Sequence, residues 1–174
     1  TGIERLYTYD ANGNQLTESV RRADGTLATI SRTFDANGDL RAVTDAAGNT
    51  LQLDRDSQGN IAGIIDPLGN RTDRAHDVES RLVSSRYADG TEEEISYDFR
   101  GVISQVEDRE GRISRYVYDA AGRPTRFEFP DDTPDPFDNP GYDLSFNALG
   151  LTDAITGEGG LSLSLEHASG GRMR

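Results

Sequence analysis

The chain has no cysteine, so disulfides and thiolate metal sites are excluded and the redox compartment stays open. It has no lysine either: all 18 basic residues are arginine, against 31 acidic ones, for a net charge of -13. With pI near 4.5, nucleic acid and anionic membrane surfaces are poor partners. No apolar run approaches the length that spans a bilayer, and the first residues do not resemble a signal peptide. Histidine is limited to His76 and His167, and there is no Gly-x-Ser-x-Gly elbow, phosphate-cradling glycine loop or His-Glu-x-x-His. A hydrophobic fraction of 34% with mean hydropathy -0.66 lies close to the disordered class, so a fold has to come from patterning.

The pattern is a repeat. An anchor residue follows an aromatic and precedes a glycine by three, at Asp10, Asp35, Asp56, Asp77, Asp98 and Asp119, with weaker copies at Asn147 and Ala168. The intervals are 25, 21, 21, 21, 21, 28 and 21. The glycine slot holds Gly13, Gly38, Gly59, Ser80, Gly101, Gly122, Gly150 and Gly171. The aromatic slot holds Tyr9, Phe34, Arg55, His76, Tyr97, Tyr118, Phe146 and His167. A second glycine follows 13 residues after the anchor in the regular copies, at Gly48, Gly69, Gly90, Gly111 and Gly160, and at Gly25 in the first, longer copy.

Each unit therefore carries two turn signals about ten residues apart, leaving two segments of about six residues, a usual strand length. Aspartate caps such turns by accepting backbone N–H groups, and asparagine or glycine takes the positive φ. The segments alternate as half-buried strands do: Leu161, Leu163, Leu165 and His167 on one side, Leu51 with Leu53, Ser114 with Tyr116 and Tyr118. Leu40 with Val43, Ile61 with Ile64 and Ile103 with Val106 break this at a spacing of three, which predicts a bulge in that strand. The predicted fold class is all-β: an antiparallel β-hairpin repeat array of about 21 residues per repeat, spanning 1–174. About 14 strands at about 4.8 Å each make on the order of 70 Å of sheet, which must curl, split or close.

The 28-residue interval contains a Pro/Asp-rich excursion at 130–141, with four of the six prolines, which forbids central strand pairing there. Both termini interrupt a repeat, so the expectation is a piece of a longer chain. The alternative is a whole protein whose open sheet edges pair with other copies into a filament.

The repeated Tyr-Asp…Gly unit, clearest at Tyr9-Asp10 to Leu16, Tyr97-Asp98 to Tyr116 and Tyr118-Asp119 to Arg123, resembles the RHS or YD repeats. The slots at Arg55, His76, His167 and Ser80 depart from it. The resemblance implies a coiled β-sheet shell, as in bacterial polymorphic toxins, insecticidal toxin complexes and teneurin-like adhesion proteins. It implies encapsulation or display by a secreted or cell-surface protein, with partners in the rest of the parent shell and an enclosed toxin. No membrane insertion, cofactor or catalysis by the repeats is expected. Asp66-Pro67-Leu68-Gly69 faintly resembles the family's self-cleaving signature, but falls in register as an ordinary second turn.

The residues expected to matter are structural: Tyr9, Asp10 and Gly13; Phe34, Asp35 and Gly38; Tyr97, Asp98 and Gly101; Tyr118, Asp119 and Gly122. The aromatic ladder packs between neighbouring strands, with glycan stacking as its functional rival. Asp10–Asn14 and Asp35–Asp39 look faintly like calcium loops, but place the glycine fourth, where a hairpin turn explains them. In the excursion, Asp131, Asp132, Asp135 and Asp138 form a solvated acidic loop, with weak calcium binding as the alternative. Glu92, Glu93 and Glu94 read as an acidic sheet face, Glu93 sharing the side of Ile95 and Tyr97. Asn70-Arg71-Thr72 matches a glycosylation acceptor, relevant only in a eukaryotic secretory host.

Overall fold

The computed structural model describes residues 4–130, 140–157, 160 and 162–165. Among them every regular element is a strand. The chain divides into two compact units, with the boundary between Gly90 and Thr91.

The first unit holds β1 (Arg5–Tyr9), β2 (Gln15–Arg21), β3 (Leu27–Phe34), β4 (Leu40–Thr44), β5 (Thr50–Arg55), β6 (Ile61–Ile65), β7 (Arg71–His76) and β8 (Leu82–Arg86). The second holds β9 (Glu92–Tyr97), β10 (Ile103–Glu107), β11 (Ile113–Tyr118), β12 (Pro124–Glu128), β13 (Gly141–Phe146), β14 (Thr152–Gly157) and β15 (Ser162–Ser164). Within each unit, every strand pairs antiparallel with the next in sequence. The fold is the predicted all-β hairpin array.

The turns explain the period. In the first, the Gly13 N–H donates to the Asp10 carbonyl at 3.2 Å and the Asp10 N–H to the Asn14 carbonyl at 2.9 Å. Gly13 lies at φ +90°. This is a type I turn closed by a left-handed residue, one of the short loops that joins twisted strands without splaying them. The sequence expectation let asparagine share the positive φ. It does not: among the described residues the one non-glycine there is Ser80, at φ 64°. Asn12 and Asn37 sit one place earlier, where the turn stays right-handed. The Asp66 turn has the same bonds as its neighbours, as its register predicts. The Ala-Asp-Gly turns differ: the closing bonds start at Arg22, and Asp24 caps Thr26 from inside the loop.

The spacing of three has the predicted cause. At the hairpin after each aromatic slot the register slips by one residue: Thr33 faces Ala42 but Phe34 faces Leu40, leaving Arg41 unopposed. The same slip leaves Ala62 and Ser104 unopposed. Leu40 and Val43, Ile61 and Ile64, and Ile103 and Val106 therefore land on one face despite their odd spacing.

That face is the apolar one in both units. The other is polar and carries hydroxyl pairs across strands: Thr8 with Thr17 at 2.6 Å, Ser19 with Thr29 at 2.8 Å, and Thr44 with Thr50 at 2.8 Å. No hydrophobic side chain among the described residues is fully buried. The sheets have no sandwiched core, and their apolar side chains are covered only by strand neighbours, which is the energetics of stacked repeats. Of the predicted alternation near the C-terminus, Leu163 is in place opposite Ile155, while Leu161 and His167 lie outside the described residues.

Most of the Pro/Asp excursion, 131–139, also lies outside the described residues, including the calcium candidates Asp131, Asp132, Asp135 and Asp138. Its base is closed: the Phe129 N–H donates to the Pro140 carbonyl at 2.9 Å, and β12 pairs directly with β13. The excursion thus stands where a second turn would.

Candidate functional site

The repeated feature with a definite geometry is the anchor turn together with the slot residue. Each anchor carboxylate is held the same way. Asp10 Oδ1 accepts the N–H groups of Asn12 at 2.9 Å and Asn14 at 2.8 Å, and its Oδ2 accepts the Asn14 side-chain amide at 2.9 Å. Asp56 repeats the set with Gln58 and Asn60. At Asp77 and Asp119 an arginine replaces the asparagine, Arg81 Nε and Arg123 Nε each donating to Oδ2 at 2.7 Å. Asn147, with no charge, still accepts Leu149 and Leu151 N–H. The bonds favour the ionised form. The Asn14 amide, then the Asn14 N–H, hold the Asp10 carboxyl below its ordinary range. The amides of Asn49, Asn60 and Asn70 lead the same effect on Asp45, Asp56 and Asp66. Oδ1 of both Asp10 and Asp35 is occupied by the turn's own N–H groups, the hairpin geometry that the calcium-like spacing also fits.

The slot residues do not stack on one another as a ladder of rings. Four of the slot residues reach back to the turn of the preceding repeat, and Arg55 also donates Nη1 to the Gly59 carbonyl of its own turn at 2.8 Å. The Arg123 guanidinium lies 4.4 Å from the Phe146 ring centre, and Arg100 lies 5.7 Å from the Tyr118 ring. His76 Nδ1 lies 3.9 Å from Asp56 Oδ2, and Arg55 acts on Asp35 through its charge. Arg55 and His76, the departing slots among the described residues, thus lie beside turns whose own fifth residue is Asp39 or Asn60. Where that turn brings an arginine, the next slot holds a ring. Sequence reading treated Arg55 and His76 as degenerate copies; the charge complement emerges only once repeats are laid side by side. Tyr9, on the edge strand, remains 57% exposed.

A second aromatic group was not foreseen. Tyr116 meets Phe127 edge-on at 5.6 Å, Phe127 stacks with Phe129 at 6.5 Å, and Phe129 meets Tyr142 at 6.0 Å. Tyr116, Phe127 and Tyr142 face one another across three strands. The alternation of Phe127 and Phe129 with Arg126 and Glu128 was the available signal.

Between the Asp35 and Asp56 turns lies an acidic hollow of about 410 Å³, lined by Asp35, Asp39, Asp54, Arg55 and Asp56. Among the described residues no three His, Asp or Glu side chains are grouped to hold a metal ion. Glu93 lies with Ile95 and Tyr97 on the apolar face, while Glu92 and Glu94 face the other way, as their alternation predicts.

The comparison with known families bears on the same units. The family described as RHS Repeat matches residues 34–70 and 55–92. Both matches begin on a slot residue, Phe34 or Arg55, one period apart. Residues 34–92 carry RHS repeats. The chain is 28% identical over 115 residues to the double-stranded DNA deaminase toxin A of Burkholderia cenocepacia (strain H111), covering 66% of this chain and 8% of that protein. Its fold is shared with a chain of the Tc holotoxin pore of Photorhabdus luminescens, at TM-score 0.71 and 16% identity over 95% of this chain and 10% of that one. A TcdB2-TccC3 structure lacking the hypervariable C-terminal region matches at TM-score 0.63 and 14% identity, over 97% of this chain and 12% of that one. The chain therefore spans about a tenth of the length of the proteins it resembles, and at these identities the structural likeness is one of fold.

Proposed function

We propose that these RHS repeats form wall in a shell that encloses a toxic polypeptide, within a secreted or surface-exposed bacterial protein. The observation that carries this reading is the serial hairpin sheet with an apolar face and no core of its own, a form that gains stability only by continuing or closing. The fold likeness to toxin-complex chains supports it. On this reading the repeats act passively: hydrogen-bonded hairpins isolate the cargo, and neither catalysis nor a cofactor is called for. The repeats are one array that joins the remainder of the parent shell through its sheet edges.

Electron microscopy of the parent protein, with limited proteolysis of its cargo segment, tests the reading. An enclosed cavity and a protease-resistant cargo are the expected results; a solid or open particle with cargo cut at the unprotected rate would refute it.

A second reading has its own observation, the cluster Tyr116, Phe127, Phe129 and Tyr142, whose rings could stack on sugar. Glycan-array binding lost in Tyr142→Ala, with the circular dichroism spectrum unchanged, would favour that adhesion role. Self-assembly into filaments would instead give concentration-dependent fibres, and a dilute monomer by ultracentrifugation counts against it.

A further inference from the structure

The apolar face of the first unit carries two cations without partners. Arg32, opposite Val43, and Arg74, opposite Ser85, are half-buried on that face. Neither makes a hydrogen bond or ion pair among the described residues, and Arg32 Nη1 and Arg74 Nε are buried with no acceptor. Acid is not scarce, with 31 acidic residues against 18 arginines. On the opposite face Arg71 is held by both Asp54 and Asp73. A partly desolvated guanidinium without an acceptor is costly, and a carboxylate brought to it relieves that cost.

The same face also holds a hollow of about 610 Å³, floored by Val20, Ala28 and Ile30, with Glu18, Arg22 and Asp45 also lining it, so it takes apolar side chains while the carboxylates go to the arginines. Arg32 on β3 and Arg74 on β7 are four strand spacings apart, about 19 Å, which an extended chain covers in about six residues. A second copy of the chain is a poor occupant. Among the described strand residues of this unit, the one carboxylate on the apolar face is Glu18, already bonded by Arg5 at 2.7 Å. Two such faces would set arginine against arginine.

We propose that this face binds an extended, acidic polypeptide segment, apolar side chains in the hollow and carboxylates on Arg32 and Arg74. The proposal rests on the wall reading, since it names the face that meets the cargo and the chemistry of the contact. At about 0.1 M salt the Debye length is about 10 Å, so the distant net negative charge is screened while these close pairs act.

The test uses the whole chain and fluorescein-labelled leucine- and valine-containing peptides. They differ only in holding Glu, Gln or Lys at two positions about six residues apart. Fluorescence anisotropy should show the Glu peptide binding about fivefold to tenfold tighter than the Gln peptide, the weight of two part-exposed ion pairs. The double variant Arg32→Gln/Arg74→Gln should erase that preference without changing the circular dichroism spectrum, since neither side chain bonds to a described residue. Ile30→Glu should weaken all three peptides, and Arg71→Gln, on the polar face, should change none. Equal binding of the Glu and Lys peptides, or a preference surviving the double variant, overturns the proposal. So does a dimer in sedimentation that occludes the face and dissociates on Ile30→Glu. Any of these beside a parent protein that still encloses a cavity sinks this inference alone; absence of the cavity sinks the wall reading itself.

Discussion

Ser80 stands where every other described anchor turn places glycine, and its replacement gives a sharp test of the turn geometry. It sits at φ 64° and its N–H closes the turn on the Asp77 carbonyl at 3.0 Å. Left-handed backbone costs a residue bearing a Cβ about 1–2 kcal/mol. Glycine avoids that strain but loses about 0.5–1 kcal/mol more conformational freedom on folding. Ser80→Gly should therefore stabilise the chain by about 0.5–1 kcal/mol, raising Tm by about 1–4 °C for a chain of this size. The mirror experiment is Gly59→Ala, at φ +90°, where an added Cβ would meet nothing within 4 Å. With no steric contact to blame, a loss of about 1 kcal/mol isolates the backbone strain. Thermal unfolding followed by far-ultraviolet circular dichroism reads both. A fall in Tm for Ser80→Gly, or no change for Gly59→Ala, would refute the assignment of a left-handed residue to the fourth turn position.

The turn carboxylates make stability pH-dependent: the anchors Asp10 and Asp56 and the second-turn residues Asp45 and Asp66 have folded-state pKa values below their unfolded ones. Their contribution is full above the unfolded value, about 3.9, and is lost as pH falls through the lower folded value. Chemical denaturation across that range should show a steep acid loss, shallower in Asp56→Asn, which keeps the backbone caps as Asn147 does; an unchanged slope would count against the capping account. Gly63 lies under Arg71, where an added Cβ would fall 2.9 Å from Arg71 Cζ. Gly63→Ala should cost about 0.5–1 kcal/mol by dislodging the Arg71 bridge, and much less in an Arg71→Gln background, so an additive double-mutant cycle would exclude that cause. Phe127→Ala should lower stability by about 2–3 kcal/mol, at the low end for aromatic truncation because the ring is only half-buried, and denaturant titration should place the loss in the second unit.

The sequence alone determined the period, the turns and the class of fold. Those signals are local: an aspartate reaching its own neighbours' N–H groups, a glycine at positive φ, and an apolar spacing of three that needs a bulge all lie within one hairpin. The tertiary structure alone decided what lies beside what. Arg55 and His76 looked like lapses from the aromatic pattern because their partners, Asp35 and Asp56, belong to the repeat before. Tyr116, Phe127 and Tyr142 formed a cluster, and Arg32 and Arg74 have no partner among the described residues, for the same reason. Neighbours across strands are chosen by register, and each bulge moves that register by one residue. Contacts between repeats follow from the geometry of the sheet and are not written at any fixed distance along the chain.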